Sequence, residues 1–414
     1  MKWLPGFIFF AFISLFANAQ SANTLDHYLE LAKNNSPLLK DLRNQVASNQ
    51  LDSLRLKAGF KPQVTLTSAG LYAPTISGFG YSEPITNEHT LNGLVGVNQA
   101  ILSKNNINTQ LESITLQSSS TINQAKISEQ DLKKAITAQY VTTYGDLQQV
   151  NFSREIVALL SAEESVLKKL TQSNVYHQSD YLTFLVTLKQ QQLQLSQTRL
   201  VYKNDFATLN YLAGVADTGQ SDLNYPNLER AVLENNNVSN SIFFRQYRLD
   251  SLKIVNSRQQ LDYTYKPKAN IFADGGFNSA FMGQPWKNFG ASFGFGLSVP
   301  IYDGGQKKLQ YKKFSLQEET RENYKTFFDL QYKQQIAQLN QQISENEKLL
   351  PQIDDQIKYS ETLIKVDTKL LETGDVKIAD LILAINNYLT VRNLKTQTII
   401  SKLQLINQLN YWNK

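Results

Sequence analysis

FGASFGFGLSVPIYDGGQ, Phe289 to Gln306, opens as one kind of structure and ends at the start of another. From Phe289 to Val299 the residues Phe289, Ala291, Phe293, Phe295, Leu297 and Val299 alternate strictly with Gly290, Ser292, Gly294, Gly296 and Ser298. One face is wholly apolar and the other is tiny or polar, the dyad pattern of a strand in an outer-membrane barrel wall. From Gln306 onward the alternation gives way to helical spacing that lasts to about Leu371. A membrane-type strand therefore feeds a very long helix, and the rest of the chain has to accommodate both.

Working outward, the same material recurs 200 positions earlier. NQAILSKNN (Asn98 to Asn106) aligns with SVPIYDGGQ (Ser298 to Gln306), and LTQSNVYHQSDYL (Leu170 to Leu182) with LLETGDVKIADLI (Leu370 to Ile382). LNY at Leu209 recurs as LNY at Leu409. Upstream the shift grows slightly: GFKPQVTL (Gly59 to Leu66) matches TYKPKANI (Thr264 to Ile271). A unit of this size far exceeds a solenoid repeat, so the chain reads as two tandem structural repeats. Their expected bounds are 20–213 and 239–414, with a linker belt over 214–238.

Each repeat carries the same series. A helix (Ser36 to Ala58 in the first, Ser239 to Tyr263 in the second) precedes a β-hairpin, expected at 62–102 and 267–301. A long helical hairpin follows, over 105–212 and 306–412. Between Asn105 and Leu170 there is no proline and a single glycine, Gly145. A helix that long spans roughly 100 Å and must pack laterally against partner helices in coiled-coil fashion. Pro351 lies inside its counterpart and is expected to kink it or mark an offset.

The amino terminus and composition restrict where such a chain works. Lys2, the apolar run Trp3 to Phe16 and Ala17-Asn18-Ala19 form a signal peptide over 1–19, too short for a trusted spanning helix. There is no cysteine, which excludes disulfides and thiolate metal sites. A net charge of +5 over 414 residues, with acids and bases interspersed, gives no nucleic-acid footprint. The mean hydropathy of −0.34 and a charged fraction of 19% leave much of the surface to Gln, Asn and Ser.

Four strands cannot close a barrel, and an open sheet edge cannot stand in lipid. The wall must be shared between copies, and three copies give twelve strands, within the known range. Phe289, Phe293, Phe295 and Leu297 then face lipid. The expected architecture is mainly α with a membrane β-barrel part: helical hairpins forming a tunnel, with four strands per chain in a shared twelve-strand barrel of a homotrimer.

Three segments carry a family resemblance over essentially the whole mature chain. LELAKNNSPLLK (Leu29 to Lys40), SVPIYDGGQKK (Ser298 to Lys308) and LLETGDVKIADLILAINNYL (Leu370 to Leu389) resemble the opening helix, the strand-to-helix junction and the hairpin tip of the TolC-like outer-membrane efflux protein family. The resemblance implies a passive export duct in the outer membrane, with its helical tunnel in the periplasm. It would be the exit channel of a tripartite efflux or type I secretion system. It further implies a periplasmic adaptor docking at the tips and, indirectly, an inner-membrane pump of RND or ABC type. By the same resemblance Pro300, Gly304 and Gly305 form the junction. Asp380, Asp180, Gly374, Asn174, Asp375 and Lys377 belong to the tips and entrance. The family's second tip aspartate, three residues after Asp380, is Leu383 here. Lys104 and Asn105 replace the junction glycines in the first copy, where a gentler turn is expected.

Other patterns carry less chemistry. GASFG (Gly290 to Gly294) fits a nucleophile-elbow spacing but lies mid-strand. His27, His89 and His177 fall on an N-terminal helix, a surface loop and a tip, so no shared metal site is expected. No catalytic or cofactor-binding residues are assigned. Tyr72, Tyr81, Phe277, Trp286 and Tyr302 are read as barrel-rim aromatics. Asp180 and Asp380 also suit the first turn of a helix, where the dipole favours a carboxylate. The alternative to a duct is a long-helix structural or surface-assembly protein of the cell envelope, which the dyad strands disfavour.

Overall fold

A computed structural model describes residues 24–74, 76–80, 88–216, 219–231, 241–279 and 287–412. The expected signal peptide, 1–19, lies outside these residues. The order of elements is α1 (Leu25–Asn35), α2 (Pro37–Gly59), β1 (Gln63–Ala73), β2 (Glu88–Ile101), α3 (Lys104–Gln172), α4 (Gln178–Leu212), α5 (Ile242–Thr264), β3 (Lys268–Ser279), β4 (Phe289–Ser298), α6 (Gln306–Thr373) and α7 (Ile378–Tyr411). The long helices hold 69 and 68 residues and the short ones after them 35 and 34, so the duplication read in the sequence is a duplication of elements. None of the described helices is long and apolar enough to cross a membrane.

The chain divides into two units. One comprises Met1–Ser36, Glu129–Leu233 and Gln335–Asn413; the other comprises Pro37–Ser128 and Glu234–Gln334. The long helices α3 and α6 contribute residues to both.

In the first unit, fully buried Ile136, Tyr140 and Leu209 pack with Tyr28, Phe206 and Leu223. A second cluster joins Leu160, Leu167 and Phe184 to Leu371, Leu381 and Ile385. Gly145 has a packing reason: a Cβ there would lie 2.8 Å from Ile400 Cγ1, so glycine lets α3 approach α7 closely. The repeated LNY also finds its cause. Leu209 and Leu409 are both fully buried, while Asn410 ties down the connecting chain by donating to the Glu229 carbonyl (2.8 Å) and accepting from the Ala231 N–H (2.9 Å). The described part of that connection, 219–231, is held further by Tyr140 and Tyr202, which donate to the carbonyls of Asn224 (2.8 Å) and Ser221 (2.6 Å).

Pro351 lies inside α6, and the helix continues on both sides of it. Ion pairs from Glu347 to Lys402 (2.9 Å) and from Asp354 to Lys395 (2.7 Å) fasten α6 to α7 on either side of the ring.

The second unit holds an antiparallel sheet in the order β1-β2-β3-β4, with β1 and β4 as its edges. Beside it, Phe244 on α5 stacks edge-on against Phe328 and Tyr332 of α6. Asn123 on α3 donates to the Ile242 carbonyl at the start of α5 (2.9 Å). His89, read from sequence as a loop residue, belongs to β2: the strand begins at Glu88 and pairs back to Ala73.

Candidate functional site

The register of the sheet sorts its residues into two faces. One row across the strands is Val64, Val97, Ala273, Phe293; the next but one is Leu66, Val95, Gly275, Ala291. Between them runs Thr65, Gly96, Asp274, Ser292, flanked on its own face by Gln63, Asn98, Phe272, Gly294 and by Thr67, Leu94, Gly276, Gly290. The first set is apolar and the second mostly small or polar. Phe293 and Phe295 are 91% and 81% exposed in the single chain, and Phe289 and Leu297 are exposed beside them. Such a surface is unstable in water and suited to hydrocarbon.

The glycines of β4 serve the polar face. A Cβ on Gly294 would meet the Phe272 ring at 2.6 Å, and one on Gly296 would meet Asn270 Oδ1 at 2.4 Å. Side chains of β3 thus lie across positions that only glycine leaves vacant. Beside them Ser292 Oγ donates to Asp274 Oδ2 (2.9 Å) and Asn270 donates to Asn98 (3.2 Å). Ser292, at the centre of the elbow-like GASFG, is therefore one member of a polar strand face.

At the junction after β4, Gly304 and Gly305 take left-handed backbone, with φ of 64° and 83°. Asp303 accepts from the N–H groups of Gly305 and Lys307 (both 2.8 Å), and these bonds hold its carboxyl below the ordinary range. Pro300 and Tyr302 line an open cavity of about 510 Å³ together with Tyr265, Lys308 and Tyr311. The first copy solves the same turn with Ser103, whose Oγ accepts from Asn106 N–H (3.3 Å), and α3 starts directly at Lys104. Residues 103 and 303 both belong to the short list of side chains that cap helices well, a signal the sequence reading passed over.

At the tips, Asn174 and Gly374 adopt φ of 60° and 83°. Tyr176 links one tip to the other, donating to the carbonyls of Leu371 (3.3 Å) and Val376 (3.0 Å). Burial, then the negative charge of Asp375, raises the Tyr176 pKa. Lys377 is the N-cap of α7. Asp180 accepts from His177 N–H (3.2 Å) across the first turn of α4. Among the described residues no equivalent bond engages the exposed Asp380. Its neighbour is Asp367 of α6, only 8% exposed, whose pKa rises through burial and then through the Asp380 charge. Asp367 stands where the first copy has fully buried Leu167, and it was missed because a carboxylate in an apolar register looks like surface in a polar sequence. Glu163 is likewise raised by burial and by Glu372.

A further acidic pair joins α3 to α4. Asp146 Oδ2 is closed off from solvent without a hydrogen-bond donor among the described residues, and Asp205 adjoins it. Burial, then the Asp205 carboxyl, pushes the Asp146 pKa up to about 7. Gln139 donates to Asp205 Oδ1 (3.4 Å).

No protein-family model matches the sequence, and no curated protein matches it. Solved structures do. VceC, an outer membrane protein of Vibrio cholerae, superposes with a TM-score of 0.76 at 11% identity, covering 94% of this chain and 96% of its own. The CmeC outer membrane channel of Campylobacter jejuni gives 0.76 at 10% identity, over 94% and 85%. The MtrE outer membrane channel of Neisseria gonorrhoeae, in its open state, gives 0.74 at 11%, over 94% and 88%. The chain has the TolC-like channel fold. Within this channel fold, Tyr72, Phe277 and Phe289 share one end of the sheet, where the last two rings lie 5.8 Å apart. Tyr302 follows the other end of β4. Tyr81 and Trp286 lie outside the described residues. His27, His89 and His177 lie on α1, on β2 and at the N-cap of α4, and the described residues contain no cluster of metal-ligating side chains.

Proposed function

We propose that the protein is a homotrimeric export duct of the outer membrane, without enzymatic activity of its own. Its strands would close with those of two further copies into a twelve-strand barrel, and its helices would form a tunnel in the periplasm. The reading is carried by one observation: a sheet with an apolar exposed face and two unpaired edges. Lipid covers such a face, and only closure with other chains removes the edges. Exposed apolar side chains along the helices, such as Leu193 and Leu200 on α4 and Leu309 and Leu316 on α6, supply further surface for self-association. As the exit of a tripartite efflux or type I secretion system, the duct would take its energy from an inner-membrane pump through an adaptor docked at the tips. The polar strand face would line the passage.

The test is physical isolation. Extraction from outer-membrane fractions should yield a heat-modifiable trimer that conducts ions in planar bilayers. A detergent-stable monomer retaining its full strand content, or a trimer that never conducts, would favour the structural-protein alternative.

A further inference from the structure

We infer that Asp274 sets the charge preference of the strand-walled part of the passage. The inference rests on the duct reading and adds a determinant remote in sequence from the tips. Among the side chains described on the polar sheet face, two are of ionisable type: Lys268 and Asp274. Lys268 opens β3, six residues from Asp274, or on the order of 20 Å along the strand. That exceeds the Debye length of about 8 Å at physiological ionic strength, so the cation does little to cancel the carboxylate. Asp274 itself sits near the middle of its strand, in a row whose other members are Thr65, Gly96 and Ser292. The donor it receives is the neutral Ser292 hydroxyl. Its charge is hydrogen-bonded without being neutralised.

Threefold closure places three copies of this carboxylate at one depth. A twelve-strand barrel has a backbone radius of roughly 12–13 Å, which brings inward-facing carboxylates to about 10 Å from the axis. Their fields overlap across the whole bore at about 0.1 M salt, where the Debye length is about 10 Å. The bore stays open beside them because Phe272 lies across Gly294, where a Cβ would come within 2.6 Å of its ring. Discrimination at this level therefore acts through charge: cationic solutes are concentrated and anionic ones held off.

Reversal potentials across a KCl gradient, measured on the reconstituted full-length protein, test this. Asp274→Asn should lower the cation-to-anion permeability ratio roughly twofold or more near 0.1 M salt and much less near 1 M. Asp274→Glu should restore the ratio. Ser292→Lys, which places a cation beside an intact Asp274, should lower the ratio even where Asp274→Asn fails to assemble. Channels of normal conductance whose reversal potential ignores both Asp274→Asn and Ser292→Lys would overturn the assignment while leaving the duct intact. Wild-type protein that forms no channel would overturn the duct reading, and this one with it.

Discussion

Asp180 and Asp380 occupy equivalent places in the two repeats, yet their carboxylates meet different surroundings. The Asp180 side chain is engaged by the His177 N–H at the start of its helix, whereas Asp380 is exposed and faces a second carboxylate, Asp367. Asp180→Asn should therefore lower stability by about 1 kcal/mol or less, the scale of a first-turn carboxylate, and leave conduction unchanged. Asp380→Asn should weaken block by multivalent cations in single-channel recordings, since it removes an uncommitted charge at the tip; unchanged block would reduce the residue to a helix-start carboxylate. Asp146 lends itself to a pH experiment. In the folded chain burial, then the Asp205 carboxyl, pushes its pKa up from the ordinary 3.8 to about 7. Below the lower value both states are protonated. Between the two, the unfolded chain releases a proton that the folded chain retains, so stability falls as pH rises through this window. Denaturant midpoints at pH 5 and pH 8 should show that decline, and Asp146→Asn should flatten it. Neither the Asp146–Asp205 pair nor Asp367 was legible in the sequence, because their significance comes from a neighbour on another helix.

Among the elements, the strands make the sharpest claim. Phe293→Arg or Phe295→Arg should impair membrane assembly by roughly 2–4 kcal/mol, the penalty for arginine at mid-bilayer. Ser292→Arg, one residue away on the other face and beside Asp274, should assemble nearly normally. Equal recovery of all three variants from outer-membrane fractions would count against the two-faced wall. The tips give a second case. Gly374 combines a φ of 83° with a 2.8 Å approach of its absent Cβ to Val175. Gly374→Ala should thus cost about 1–2 kcal/mol of backbone strain, visible as a lower thermal midpoint by circular dichroism. These elements were legible because periodicity reports on them directly: strict alternation in β4, helical spacing through α3 and α6, Gly and Asn at the turns. The glycines of β4 read correctly as a small face. Their reason, the side chains of Phe272 and Asn270 laid across Gly294 and Gly296, depends on strand register and stayed hidden. The same holds for His89, since neither end of a strand interrupted by polar residues is marked in the sequence.

For the whole molecule, the single chain leaves exposed what an assembly would cover. Leu193 and Leu200 are seven residues apart on α4, one heptad, and both are 60% exposed. Replacing both by Glu should leave helix content unchanged, since neither supports the chain's own core, and should shift the trimer toward monomer in light scattering. Retention of a full trimer would place the association surface elsewhere. The two-repeat architecture was legible because matching segments recur in the same order about 200 residues apart, which helical or strand periodicity alone does not produce. Pro351 has a mechanical consequence. Its ring offers no proton to the carbonyl of Glu347, so the ladder of α6 lacks one rung there, and bending at that level stretches one bond fewer than elsewhere. The ion pairs Glu347–Lys402 and Asp354–Lys395 clamp α7 across the same stretch. A missing rung about two-thirds of the way along α6, between two ion pairs to α7, makes this level the easiest place for the long helix to bend.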